Sequence, residues 1–83
     1  MLIHSPQELA MIIASQRKKN KMSQKTVTDL VGLKQQTVSA FENKPGSTEL
    51  DTLFRILAAV NLKIHILPKD IVPGKESEWQ EEW

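Results

Sequence analysis

Five polar side chains occupy six consecutive positions of this 83-residue sequence: Lys34, Gln35, Gln36, Thr37 and Ser39. On a helix, Gln35, Gln36, Ser39 and Ala40 would share one outward face, with Lys34 and Thr37 near its start. A glutamine carboxamide can donate to N7 of an adenine while accepting from its N6 amine. Lysine can reach the guanine acceptors in the same groove. No acid interrupts the face before Glu42. These residue types at this spacing suit reading of base edges in a DNA major groove. The bland alternative is a solvated face of a small helical bundle, because short helix pairs joined at a glycine are also common scaffolds.

Other chemistries find little to work with. The sequence has no cysteine and no tyrosine, and its two histidines, His4 and His65, lie far apart. That excludes disulfides and thiolate nucleophiles and leaves no metal-ligand spacing. There is no glycine-rich phosphate loop and no histidine close to a pair of acids, so neither an enzyme nor a cofactor or small-molecule substrate is expected. No apolar run approaches the roughly 20 residues of a membrane span, and no basic-then-apolar leader opens the chain. A reducing, cytoplasmic setting beside the nucleoid is the expectation.

The elements that must position the polar face can be read on either side of it. Ser5-Pro6-Gln7-Glu8 is a helix start: Ser5 caps, Pro6 fits the first turn, and Glu8 closes a capping box. Leu9, Ile12, Ile13 and Gln16 follow at helical spacing, with Met11 off the stripe. That helix ends among Arg17, Lys18, Lys19, Asn20 and Lys21, where cations suit the C-terminal dipole. Ser23 caps a second helix over Gln24 to Val31, with Val27, Leu30 and Val31 as its apolar positions. Gly32 ends it in the left-handed conformation that glycine adopts cheaply. A third helix runs from Gln35 to Asn43, with Val38 and Phe41 inward. After the turn residues Asn43 to Ser47, Thr48 caps a fourth helix, with Asp51 in the box position. Leu50, Leu53, Ile56, Leu57 and Val60 form its stripe, and Asn61 is its left-handed stop.

From Leu62 the period changes to two. Leu62, Ile64 and Ile66 alternate with Lys63 and His65, the pattern of a half-buried strand. No second strand appears in the sequence, and a lone strand leaves its backbone groups unpaired. Pairing with the same strand of a second subunit resolves this, and the chain is expected to form a homodimer. His65 is then an exposed or cross-strand spacer, although a histidine at a dimer seam could also sense pH.

Charge divides the chain. Residues 1–68 carry a net +4 and residues 69–83 a net −3. We therefore expect a helical DNA-binding and dimerisation domain over 1–68 and a flexible acidic tail over 69–83. A domain of this size buries only about 60% of the surface of its unfolded chain and gains from a partner. Trp79 and Trp83 are isolated aromatics among acids, suited to anchoring on another protein.

The segment Ser23 to Asn43 is thus helix, glycine turn, helix, a plan that sets the second helix into the major groove while the first crosses the backbone. The run Ser23-Gln24 … Val31-Gly32-Leu33-Lys34-Gln35-Gln36-Thr37-Val38-Ser39 … Phe41-Glu42-Asn43, followed by Leu53 … Ile56-Leu57, resembles the Cro/C1-type (XRE) helix-turn-helix repressors over roughly residues 9–62. More narrowly, Ser5-Pro6, Lys34-Gln35 after Gly32, Phe41-Glu42-Asn43 after Ser39, the apolar strand after Leu62 and a terminal Glu82-Trp83 resemble the HipB-type antitoxin family, partners of HipA-family kinase toxins.

That resemblance implies an all-α, four-helix domain with one C-terminal strand paired across a dimer. It implies base contacts from Lys34, Gln35, Gln36 and Ser39 and phosphate contacts from Gln24, Thr37, Asn43 and Lys44. It places Leu62, Ile64 and Ile66 in the dimer strand, and an internal ion pair at Arg17 and Glu42 that is structural rather than catalytic. The function it implies is a DNA-binding antitoxin that represses its own operon from an inverted-repeat operator and binds a HipA-like serine/threonine kinase toxin, of one chain or split into two. The alternative is a stand-alone phage- or host-type repressor with no toxin partner. A third reading is a protein-interaction module that uses the same shape without DNA.

Overall fold

Four helices and a single 3-10 turn follow one another in the computed structural model, which describes residues 2–69. The tail positions, with Trp79 and Trp83, lie outside the described residues. Helix α1 spans Pro6–Lys19, α2 Gln24–Val31, α3 Gln35–Asn43 and α4 Leu50–Ala59, with the 3-10 turn at Pro45–Ser47 between α3 and α4. The all-α expectation holds.

Local chemistry sets most of the boundaries. The Ser5 hydroxyl accepts from the Glu8 amide at 3.1 Å, and Pro6 takes the first helical position. Glu8 closes the motif one residue further back than a standard capping box, accepting from the His4 amide rather than the Ser5 amide. Ser23 Oγ accepts from the Thr26 amide at 3.0 Å and starts α2. Gly32 ends α2 at φ +71°, and Asn61 follows α4 at φ +63°. Between α1 and α2 the left-handed position falls on Lys21, at φ +59°, a residue that pays a steric cost there that glycine would not.

The fourth helix departs from expectation at its start. Thr48 does not cap it; Glu49 is the cap residue and makes no side-chain capping bond. The first bond into the helix is accepted by the Glu49 carbonyl, from the Leu53 amide at 3.0 Å, so α4 begins one residue later than a Thr48 cap requires, and the Thr48 amide closes the preceding 3-10 turn on the Pro45 carbonyl at 3.1 Å.

Ala10 and Ile13 of α1, Val27 of α2, Val38 and Phe41 of α3, and Ile56, Leu57 and Val60 at α4 form the core. Burial of each large side chain contributes about 1.5–3 kcal/mol, and the centre is shared by all four helices. Two stripe residues do not go inside: Leu30 of α2 and Leu50 of α4 are exposed. On α1 the buried face runs through Ala10, Ile13 and Arg17; Ile13 of the expected row goes inside, while Leu9, Ile12 and Gln16 are half-buried. A cation takes a core position because its counter-charge waits on α3. The ends of the bundle are tied by the Asn20 amide, which donates to the Val60 carbonyl at 3.3 Å.

Residues 62–68 carry no regular structure within the single chain. Leu62 packs against the core, whereas Ile64 and Ile66 are exposed.

Candidate nucleic-acid interface

Gln24 at the first position of α2 and Gln35, Gln36, Ser39 and Ala40 of α3 surround an open concavity of about 470 Å³. The two helices meet at a fixed angle because Val27 and Val38, on their inner faces, are fully buried in one core. With Val38 and Phe41 inward, helical geometry turns Gln36 and Ser39 outward, and Gln35, at the first position of α3, flanks them. Gln35 and Gln36 are exposed and Ser39 is half-buried.

The start of α3 is left open. Lys34 is its cap residue and supplies no side-chain acceptor, so the first-turn amides of Gln35 and Gln36 keep no capping partner from it. Together with the helix dipole, such amides favour an approaching anion. Lys34 itself is exposed. At the other end of α3, Asn43 folds back, its Nδ2 donating to the Ser39 carbonyl at 3.0 Å and to Ser39 Oγ at 3.3 Å. This holds the Ser39 hydroxyl in place. Lys44, the residue after α3, is exposed.

The structure therefore brings together Gln24, Gln35, Gln36 and Ser39. Lys34, Asn43 and Lys44 sit at the two ends of α3, and Thr37, half-buried, lies outside the lining of the concavity.

Beneath this face lies an ion pair. Arg17 Nε donates to Glu42 Oε2 at 2.8 Å and Nη2 to Oε1 at 3.1 Å, with both side chains nearly buried. Arg17 Nη1 also donates to the Met22 carbonyl at 2.8 Å, fixing the connection between α1 and α2. Burial alone would push the Glu42 carboxyl up. Hydrogen bonds from Arg17 and Gln24 and the positive charges of Arg17 and Lys18 outweigh it and hold the group below its ordinary value. Glu42 is the acid nearest to Gln35, Gln36 and Ser39 along α3, and Arg17 neutralises it. An unpaired anion there would repel phosphate.

Sequence reasoning did not find the bond from Gln24 Nε2 to Glu42 Oε1, at 3.0 Å. The two residues stand 18 positions apart, so no helical or strand period links them. Only the docking of α2 against α3 does.

Among the described residues no cluster of three or more histidine, cysteine, aspartate or glutamate side chains could hold a metal ion. No helix there is long and apolar enough to cross a membrane.

Residues 13–67 match the family pattern described as helix-turn-helix. The antitoxin HipB of Escherichia coli strain K12 is 34% identical over 82 residues, covering 98% of this chain and 93% of the relative. The antitoxin HipB of Escherichia coli O6:H1 is likewise 34% identical, with 87% of its length covered. Among solved structures, a HipA–HipB–O2–O3 complex contains a chain that superposes with a TM-score of 0.81 at 34% identity, covering 84% of this chain and 99% of that one. The HipB–O4 20mer complex gives the same values. A family pattern matched across most of the sequence, and an identity that runs nearly from end to end, place the chain in the Cro/C1-type helix-turn-helix family and, within it, among the HipB antitoxins.

Proposed function

We propose that this protein is a dimeric, non-catalytic, operator-binding antitoxin that represses its own operon and binds a HipA-like serine/threonine kinase toxin. The observation that carries the reading is the polar concavity of Gln24, Gln35, Gln36 and Ser39 on a helix-turn-helix body, with its one nearby acid already neutralised. Support comes from similarity that spans 98% of the chain, beyond the DNA-reading body alone. A stand-alone repressor would need to resemble HipB only through its helix-turn-helix portion.

In this reading Lys34, Gln35, Gln36 and Ser39 face bases, while Gln24, Thr37, Asn43 and Lys44 lie along the phosphates. Leu62, Ile64 and Ile66 pair with the same segment of a second chain, which sets two reading heads about one helical turn apart, or a multiple of it, on an inverted repeat. Residues 1–68 form the working domain and 69–83 an acidic extension whose Trp79 and Trp83 dock on the toxin. The protein acts in the cytoplasm, at the nucleoid.

The separation of these tasks is testable by truncation after Lys69. A tail of net −3 is repelled by phosphate, so operator affinity in a fluorescence-anisotropy titration stays the same or rises slightly. Calorimetry against a HipA-like kinase shows a fall in affinity, because about 15 residues can reach roughly 20 Å and deliver an aromatic anchor. Unchanged toxin binding would move the toxin contact onto the helical body.

A further inference from the structure

We propose that Glu42 is a positioning residue for DNA binding, its carboxylate holding the Gln24 carboxamide in one orientation at the edge of the reading concavity. This rests on the assignment of the concavity to DNA, and it adds a residue that touches neither base nor phosphate.

The geometry is that of one oxygen serving two donors. Glu42 Oε1 accepts from Arg17 Nη2 at 3.1 Å and from Gln24 Nε2 at 3.0 Å. An ionised carboxylate can only accept. The Gln24 amide therefore presents its nitrogen to Glu42, and a flipped amide would set two acceptor oxygens against each other. That decides which end of Gln24 is committed inward. Its carbonyl oxygen and second N–H are left in fixed places for a ligand.

Glu42 can impose this because it is held itself. Arg17 grips both of its oxygens, and the third Arg17 nitrogen is tied to the Met22 carbonyl. Gln24 is also placed by its backbone, whose carbonyl accepts from Thr28 Oγ1 at 2.8 Å. A chain of contacts thus runs from α1 through α3 to the first residue of α2. An ion pair near the core fixes a side chain at the surface, and a glutamine ordered in advance loses less freedom on binding.

A double-mutant cycle tests the coupling. The wild-type protein, Gln24→Ala, Glu42→Gln and the double variant are titrated with an inverted-repeat duplex enriched from a randomised library by the wild-type protein. Each is measured at a temperature where circular dichroism shows it folded. Gln24→Ala is expected to weaken binding about 5- to 10-fold in the wild-type background, the scale of one ordinary net hydrogen bond. In the E42Q background the same change is expected to cost less than about 2-fold, because Gln24 has already lost its orientation. A purely structural Glu42 would lower the melting temperature and leave the Gln24→Ala penalty equal in both backgrounds; that additivity overturns the proposal. Should E42Q not fold, the cycle is run with Glu42→Asp, which keeps a charge opposite Arg17 but shortens the reach toward Gln24. Additivity with tight wild-type binding removes only the positioning role, whereas a wild-type protein that enriches no duplex removes the DNA assignment and this proposal with it.

Discussion

The face formed by α2 and α3 and the exposed apolar residues of α4 and of residues 62–68 are finished to different degrees. On the first, every polar group near the centre has a partner or a clear outward path: Asn43 braces Ser39, and Glu42 is shared between Arg17 and Gln24. No described side-chain nitrogen or oxygen is buried without a partner. In the second group, Leu50, Phe54, Ile64 and Ile66 stand exposed, 73% of the surface of Ile66 among them. A reading surface needs only one chain to take shape, because side-chain hydrogen bonds within the helix pair complete it. In the proposed dimer, Ile64 and Ile66 find in a second chain the ladder that one strand lacks.

The most severe way to break this contrast leaves both regions chemically intact. Phe41 is 2% exposed on the inner side of α3, opposite Gln36 and Ser39. Phe41→Ala should cost about 3–5 kcal/mol through lost burial and the cavity left behind. For a domain whose total stability is on the order of 5–15 kcal/mol, that shows as a large fall in thermal midpoint by circular dichroism and a proportionate loss of DNA-competent protein.

Next in size is Ile64→Pro, aimed at residues 62–68 alone. Proline removes a ladder donor. Sedimentation should shift toward monomer, and affinity for an inverted repeat should fall about 100-fold, as the second half-site contact ceases to be intramolecular. Helix content should be unchanged. A dimer that survives the substitution would place the interface elsewhere, for instance on the exposed side of α4.

Gln35→Ala sharpens the account of the first face. A loss of about 1–3 kcal/mol on the cognate duplex, with little change on random DNA, marks a base contact. Lys44→Ala should instead weaken all sequences alike and reduce the salt slope by about one. Equal losses for Gln35→Ala on both kinds of DNA would make it a phosphate contact.

The smallest effect is expected from acid. The Glu42 carboxyl lies below its ordinary value in the folded protein, so the unfolded chain takes up its proton first as pH falls. Its contribution is therefore complete above about pH 4.5 and is lost as pH drops through the lower, folded value. Melting temperatures followed from pH 7 downward should begin to decline below about pH 4.5. Glu42→Gln should flatten that part of the decline.

Much of this molecule could be read from neighbouring residues. Caps at Ser5 and Ser23, the left-handed stop at Gly32 and the bounds of α2 and α3 are local matters, decided by a hydroxyl within reach of an amide or by a missing Cβ. Thr48 misled: its residue type suits a cap, but it ends the 3-10 turn, and the first helical bond goes to the Glu49 carbonyl one residue on. Leu30 and Leu50 share the period of buried neighbours yet stay outside, because periodicity gives a face and not the width of what covers it.

By itself the sequence determined the order of the helices and the limits of α2 and α3, the exposure of Gln35 and Gln36 beside Ser39, and the division of charge between residues 1–68 and 69–83. Those follow from contacts within about four residues and from composition. Tertiary structure brought the Arg17 guanidinium, expected there only from the family resemblance, and the Gln24 amide, expected from nothing in the sequence, onto one Glu42 carboxylate. Each of these links residues at least 18 positions apart, and such a bond exists only once packing of the apolar core has fixed the angle and distance between helices.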